Sequence, residues 1–216
     1  MAQNELELRL PSILEIVKKI LQALTVRWTS GEITREEFVT SAALAVVTSR
    51  IRGANVGADI VRRDLEAQLA EPVRIVPPTV NRNADFQRLT KAVETIAADV
   101  PEGADTQDEA FQEILRRVDM RLERLARAET TDAAQDGAQQ ALTDDRVQGW
   151  VRDLNGAACE LCTWWWREGR VWPADHVMPK HVGCECWPRP VTVNYQPRVS
   201  PEAQKRSERD RKKEIA

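Results

Sequence analysis

The chain has 216 residues, of which 42% are hydrophobic and 30% are charged, and its formal net charge is -3. This composition is sufficient for one substantial core, and the small net charge gives no global bias towards nucleic acid or anionic lipid. No apolar run approaches the roughly 20 residues that a membrane-spanning helix needs, and the N-terminus does not have the pattern of a signal peptide. We therefore expect the protein to work in a cytosol or in a particle assembled there. In that context cysteines are metal ligands or free thiols more often than disulfides.

The first part of the chain has the apolar spacing of amphipathic helices, with steps of three and four residues. The first such pattern runs from Asn4 to about Arg27. Pro11 is either tolerated in its first turn or marks its true start. After a Ser-Gly break, Thr34 and Glu37 have the spacing of a capping box, which predicts the start of a second helix.

Glycines and prolines divide the rest of the N-terminal region. We expect Gly53 and Gly57 to kink or divide the second helix. A proline-rich connector follows, then a shorter helix over about residues 84–98, and residues 101–103 predict a turn. Residues 1–104 are therefore predicted to be an N-terminal helical region.

The longest helical pattern lies in residues 105–156, which we predict to be a long helical segment. It contains one apolar seam formed by Phe111, Leu115, Val118, Leu122 and Leu125. Beyond the seam the pattern is rich in alanine as far as Trp150, and small residues favour close packing against another helix. No alternation is long enough for a large sheet. The sequence therefore predicts a mainly α fold, a multi-helix body with little or short β structure.

The composition changes in residues 157–192, which we predict to be a small Cys/His module. Two clusters of soft ligands, separated by 18 residues, contain Cys159, Cys162, His181, Cys184 and Cys186. This pattern is typical of a structural, tetrahedral zinc site, which needs four of the five. The first two cysteines and Cys184 are the firmest ligands, and His181 competes with Cys186 for the last position. The alternatives are a thiol-lined core without metal, or disulfides formed in air.

Ten positions of the second half follow one family's pattern. They are Arg127, Glu129, Thr130, Trp150, Cys159, Cys162, Pro179, His181, Cys184 and Cys186. Residues 111–190 thereby resemble the Mu-type (MuF-like) phage head-morphogenesis family, whose members have an arginine-x-glutamate-threonine motif before a tryptophan-bearing segment and two cysteine clusters. The chain departs from that pattern in its tryptophan-rich loop and in Val182, where the family often has proline.

The resemblance implies a role in assembly. Proteins of this family are minor capsid components of tailed bacteriophages, and their cysteines and histidine are regarded as structural. The resemblance thus implies a non-catalytic protein of the virion, located at or near the portal vertex and in the host cytoplasm during assembly. The implied partners are the portal protein, the major capsid protein, or both. Some members are thought to enter the host with the genome.

Two enzymatic activities, a nuclease and a protease, are alternatives to this role. Asp175 and His176 resemble the Asp-His strand of HNH nucleases, but that fold needs a later histidine and none follows His181. A capsid maturation protease is suggested by the place such proteins have among phage head components. The chain has neither a nucleophile elbow nor an H-E-x-x-H motif. We therefore predict that the protein is not an enzyme.

Six of the seven tryptophans lie between Trp150 and Trp187. They either cover a module too short to have its own core or form an exposed patch that docks onto portal or capsid subunits. The candidate partner-binding residues are Trp164, Trp165, Trp166 and Trp172. The final segment, residues 193–216, has charges of both signs, which favours a solvated helix or flexible tail over an arm that contacts packaged DNA.

Overall fold

Within residues 5–101, 108–156 and 158–195, which the computed structural model describes, four long helices form the body of the protein. They are α1 (Glu5–Thr29), α2 (Arg35–Leu69), α3 (Arg82–Ala97) and α4 (Glu109–Gln140). None of the helices in these ranges has both the length and the apolar character needed to cross a bilayer. Most of the turn predicted at 101–103 and the tail from residue 196 onwards lie outside the described residues.

The starts of the first two helices can be explained from their sequences. Pro11 lies inside α1, so this helix begins before the proline rather than at it. The capping box of α2 is confirmed: Thr34 Oγ1 accepts a hydrogen bond from Glu37 N at 3.1 Å, and the Glu37 carboxylate accepts one from Thr34 N at 2.8 Å. These two bonds satisfy backbone donors that a helix start leaves without partners.

The glycines of α2 form a close contact with α4. The helix runs without interruption, so the expectation that Gly53 and Gly57 divide it is wrong. A Cβ atom on Gly57 would lie 1.8 Å from the carbonyl oxygen of Ala134, and one on Gly137 of α4 would lie 2.0 Å from that of Ala54. These glycines therefore allow the two backbones to approach, as the small residues of α4 predicted.

The predicted apolar seam of α4 packs into the interior. Its buried members are Phe111, Val118 and Leu122, and its half-buried members are Leu115 and Leu125. Around the seam, a core of residues from the four helices contains Val17, Leu21, Phe38, Val46, Leu89 and Val93. The prediction of a mainly α fold with a multi-helix body is confirmed.

The helical segment ends earlier than residue 156. After Gln140 the remaining elements are β1 (Gly149–Asp153), α5 (Glu160–Trp166), a 3₁₀ turn (Arg167–Gly169) and β2 (Trp187–Val191). The two strands pair antiparallel, with Trp150 opposite Pro190, and form a two-stranded sheet. The part of the chain that contains the cysteines is thus enclosed between two paired strands, the first of which lies in the segment predicted to be helical.

The sheet is attached to the helical body through a second core. Trp150 and Trp187 are fully buried and pack with Met178, with Ala138 of α4 and with Leu65 of α2. Burying two tryptophans removes a large apolar area from water, which is the main favourable contribution to such an attachment. The Cys/His module is therefore fixed to the body by its own strands.

Candidate metal centre

The first cysteine pair lies at the start of α5. Cys159 is the N-cap residue, and its Sγ accepts a hydrogen bond from Cys162 N at 3.5 Å. Cys159 is exposed and Cys162 is buried. The C-x2-C spacing therefore puts both sulfurs at the first turn of the helix, one at the surface and one beneath it.

A tight turn carries the second cluster. Cys184 N donates a hydrogen bond to His181 O at 3.1 Å. Gly183 has a φ of +78°, a backbone conformation that residues with a side chain rarely adopt. Cys184 and Cys186 are buried on the approach to β2. The glycine therefore permits the turn that brings this cluster to the first one.

The two clusters meet at Cys162. Its Sγ lies 3.0 Å from His181 Nε2 and 3.3 Å from Cys184 Sγ, and Cys159 Sγ lies 3.2 Å from the same His181 nitrogen. The sulfurs of Cys162, Cys184 and Cys186 all lie within 4.8 Å of one another. The structure thus brings the five predicted ligands together in two groups of three that share Cys162, and each group could hold a metal ion.

The donor set fits a soft divalent ion. In a tetrahedron with metal–sulfur bonds of about 2.3 Å and metal–nitrogen bonds of about 2.0–2.1 Å, neighbouring ligand atoms lie about 3.6–3.8 Å apart. The separations around Cys162, 3.0 and 3.3 Å, are about 0.5 Å shorter than that spacing, so the ligand atoms must move apart slightly to surround an ion. The four cysteines are free. The disulfide alternative therefore does not describe this structure.

His181 is oriented to present one nitrogen to the thiols. Its Nδ1 lies 3.1 Å from the carbonyl oxygen of Val182, which can only accept a hydrogen bond. We therefore assign the proton to Nδ1, which leaves the lone pair of Nε2 directed at Cys159 and Cys162. A second hydrogen bond of this kind orients most histidine ligands of metals.

The buried thiols of the second cluster resist ionisation in the absence of a metal ion. A hydrogen bond with Cys186, together with burial, raises the pKa of the Cys184 thiol. A hydrogen bond with Cys162, together with burial, raises the pKa of Cys186 to about 11. Because the thiolate is the form that binds metals, loading this cluster with a metal ion must release protons.

One face of α4 holds the module in place. Four polar residues at helical spacing contribute to it: Asp132, Gln135, Asp136 and Gln139. Gln135 Nε2 donates hydrogen bonds to the carbonyl oxygens of Cys184 at 2.7 Å and Cys186 at 2.6 Å. Lys180 Nζ lies 2.6 Å from a carboxylate oxygen of each aspartate. The turn that carries the second cluster is therefore bonded directly to the body.

The four predicted partner-binding tryptophans differ in exposure. Trp164 is 61% exposed, and the guanidinium of Arg167 lies 4.7 Å from the centre of its ring. Trp165 is half-buried, with its ring 6.0 Å from that of His181. Trp166 and Trp172 are half-buried as well. Trp164 is therefore the most accessible of the four.

Asp175 and His176, the residues of the nuclease alternative, lie in an exposed loop and belong to neither of the two groups that could hold a metal ion. The ring of His176 stacks on that of Trp172, with centroids 4.6 Å apart and an angle of 11° between the planes. Its carbonyl oxygen accepts a hydrogen bond from Trp150 Nε1 at 2.8 Å. The described contacts of His176 are thus ring stacking by its side chain and hydrogen bonds by its backbone.

Two residues of the site have no counterpart in the sequence prediction, Arg152 and Gln135. Arg152 of β1 is 1% exposed and lies beside the sulfurs of Cys162 and Cys184. No feature of the sequence indicates it, because arginine is rarely buried. Gln135 belongs to a polar stripe at helical spacing, and that stripe was the available indication that this face of α4 has a partner.

Comparison with models of known protein families, with curated proteins and with solved structures finds no match to this chain. The geometry of the site and the motifs of the sequence are therefore the observations that bear on function. The geometry bears on the metal, and the motifs bear on the biological role.

Proposed function

We propose that the Cys/His module holds one structural zinc ion. Cys159, Cys162 and Cys184 supply thiolates, and His181 supplies Nε2 as the fourth ligand. The observation that carries this proposal is the position of Cys162 Sγ, 3.0 Å from His181 Nε2 and 3.3 Å from Cys184 Sγ. Closed sites with this ligand combination stabilise short segments that lack a core of their own.

Cys186 competes with His181 for the fourth position. Its Sγ belongs to the same cluster but faces Asn155 Oδ1 at 4.0 Å, an acceptor for a protonated thiol. The nitrogen of His181 faces two thiols instead. We therefore place Cys186 next to the ligand set rather than in it.

Metal analysis of single variants tests the ligand set. Protein purified under reducing conditions should contain about one zinc per chain, and Cys162→Ser should contain none because this sulfur joins both clusters. His181→Ala should also lose zinc. His176→Ala, which changes the other histidine of the chain, is the matched control, and both this variant and Cys186→Ser should retain the metal. A wild-type protein without zinc would overturn the proposal.

We further propose that the protein is a minor head protein of a tailed bacteriophage, with a structural role at or near the portal vertex. The resemblance of residues 111–190 to the MuF-like family supports this role. The attachment of the module to the body supports it as well, because a rigid connection suits a module that holds a contact surface in place. Both ring nitrogens of His181 face groups of the chain itself, which suits a structural histidine.

The exposed face of the module is the proposed docking surface for portal or major capsid subunits. Trp164 is its centre, since exposed tryptophans are frequent anchors of protein interfaces. The neighbouring Trp165 contacts the metal centre and is expected to affect zinc binding as well as docking.

A paired comparison tests docking separately from folding. Trp164→Ala should leave the melting temperature of the isolated protein nearly unchanged and reduce its abundance in purified phage heads. Leu122→Ala, at a fully buried position, should destabilise the protein by about 2–5 kcal/mol. If Trp164→Ala is incorporated into heads as efficiently as the wild type, this tryptophan is not an anchor. If the wild-type protein is absent from heads, the assembly role is wrong.

A further inference from the structure

Arg152 has a positive charge that its neighbouring hydrogen-bond acceptor and aromatic ring do not balance. Its side chain is 1% exposed, and its Nε has no hydrogen-bond partner. The guanidinium Nη2 donates to the carbonyl oxygen of Pro179, and the group lies 5.2 Å from the centre of the Trp165 ring. Both of these neighbours are uncharged. Within the described part of the chain, no carboxylate forms a salt bridge with Arg152.

The other buried arginines in the described ranges have carboxylate partners. Arg189 Nε lies 2.9 Å from a carboxylate oxygen of Asp64, and Arg50 forms a salt bridge with Glu129. A buried guanidinium without an anion is strongly unfavourable, because arginine stays charged at every physiological pH. The surroundings of Arg152 must therefore supply negative charge in another form.

Thiolate sulfur is the negative charge within reach. Arg152 Nη1 lies 3.9 Å from both Cys162 Sγ and Cys184 Sγ. Three thiolates and a neutral histidine around a divalent ion give a net charge of about -1, and four thiolates give about -2. Either ligand set can balance one guanidinium, whereas neutral thiols cannot.

We propose that Arg152 is the counter-charge of the metal centre and raises its affinity for divalent metal ions by compensating the thiolates of Cys162 and Cys184. This inference rests on the proposed zinc site and adds a condition to it, namely that the ligand set must be anionic. Arg152 is a positioning residue that contacts the ligands and not the metal.

The first test measures metal affinity in reduced, chelator-treated protein. Co²⁺ is titrated while thiolate-to-cobalt absorption is recorded, and Zn²⁺ is then added in competition. Arg152→Met should weaken binding of both ions roughly 10- to 100-fold, as changes next to metal ligands commonly do. Arg152→Lys keeps the charge and should stay closer to the wild type. Arg170→Met is the matched control, because Arg170 stacks on Trp172 outside the cluster.

Melting temperatures with and without Zn²⁺ separate a charge effect from a packing effect. The rise in melting temperature that Zn²⁺ causes should be smaller in Arg152→Met than in the wild type. Without metal, the variant should be at least as stable as the wild type. An equal loss of stability in both states would overturn the inference, and so would a Zn²⁺ affinity within about threefold of the wild type.

Two further outcomes complete the test. If Arg152→Met does not fold, Arg152→Gln is compared with Arg152→Lys, and equal affinities of these two variants overturn the inference. A wild-type protein that binds neither ion overturns the zinc site itself. If the wild type binds the ions and Arg152→Met binds them with the same affinity, only the role of Arg152 is overturned.

Discussion

Gln135 joins the candidate metal centre to the helical body, and replacing it with methionine tests that junction. The side chain is 2% exposed, and its amide donates to the carbonyl oxygens of Cys184 and Cys186. Methionine has a similar length and shape but no N–H group. The substitution therefore preserves most of the packing and removes one donor from each of two carbonyls.

The expected loss follows from these two bonds. A buried polar group that loses its partner costs about 1–3 kcal/mol, so two carbonyls cost roughly 2–6 kcal/mol. Burying the methionine side chain returns about 1–2 kcal/mol of hydrophobic stabilisation. We expect Gln135→Met to lower the free energy of unfolding by about 1–4 kcal/mol and to weaken zinc retention, because the turn that carries Cys184 loses its support.

Urea unfolding with excess Zn²⁺ and a reductant measures this loss, and a zinc-release assay measures retention. Gln22→Met is the matched control: Gln22 is exposed on α1, and its change should cost less than about 0.5 kcal/mol. A Gln135→Met protein with the midpoint, urea dependence and zinc content of the wild type would refute the proposed junction.

Three further substitutions test the helical body. Gly57→Ala should lower the melting temperature by several degrees, because the added Cβ would meet the α4 backbone. This loss should exceed the gain of about 1 kcal/mol that alanine gives over glycine in a helix interior. An unchanged or higher melting temperature would contradict this packing. Burial raises the pKa of Asp119, so this carboxyl stabilises the fold at low pH and loses that contribution as pH rises through its folded pKa. Asp119→Asn should therefore have a higher melting temperature than the wild type at pH 7 but not near pH 4. An equal rise in melting temperature at both pH values would refute the raised pKa of Asp119. Glu129→Gln should lower the free energy of unfolding, measured in urea, by about 3 kcal/mol, because Glu129 forms a salt bridge with the buried Arg50. Glu113→Gln, at an exposed salt bridge, should change it by almost nothing, and equal losses in the two variants would contradict the role of Glu129.

The helices could be predicted because their determinants are local. Apolar periodicity and the Thr34–Glu37 box depend on residues a few positions apart, and the structure has both. The effect of Gly57 could not be predicted in the same way. Its partner is the backbone at Ala134, far along the chain, and a glycine that breaks a helix has the same sequence pattern as one that admits a neighbour.

The ligand cluster was predictable for a similar reason. C-x2-C and C-x-C spacings each bring two sulfurs together through a single turn, whatever the rest of the fold does. The choice between His181 and Cys186 depends instead on which groups surround them, here Val182 O and Asn155 Oδ1. The position of Arg152 required the pairing of β1 with β2, which no local pattern of the sequence indicated.

The arginine-x-glutamate-threonine motif acquires a physical meaning in this fold. Its residues are Arg127, Glu129 and Thr130. The arginine lies 3.1 Å from the carboxylate of Glu185, between the two cysteines of the second cluster. The glutamate forms salt bridges with Arg50 of α2 and Arg88 of α3, and the threonine hydroxyl donates to Ser49 Oγ of α2 at 2.8 Å. One turn of α4 therefore contacts two other helices and the module. A motif placed at such a junction fixes the position of the module relative to the body, as the proposed role in assembly requires.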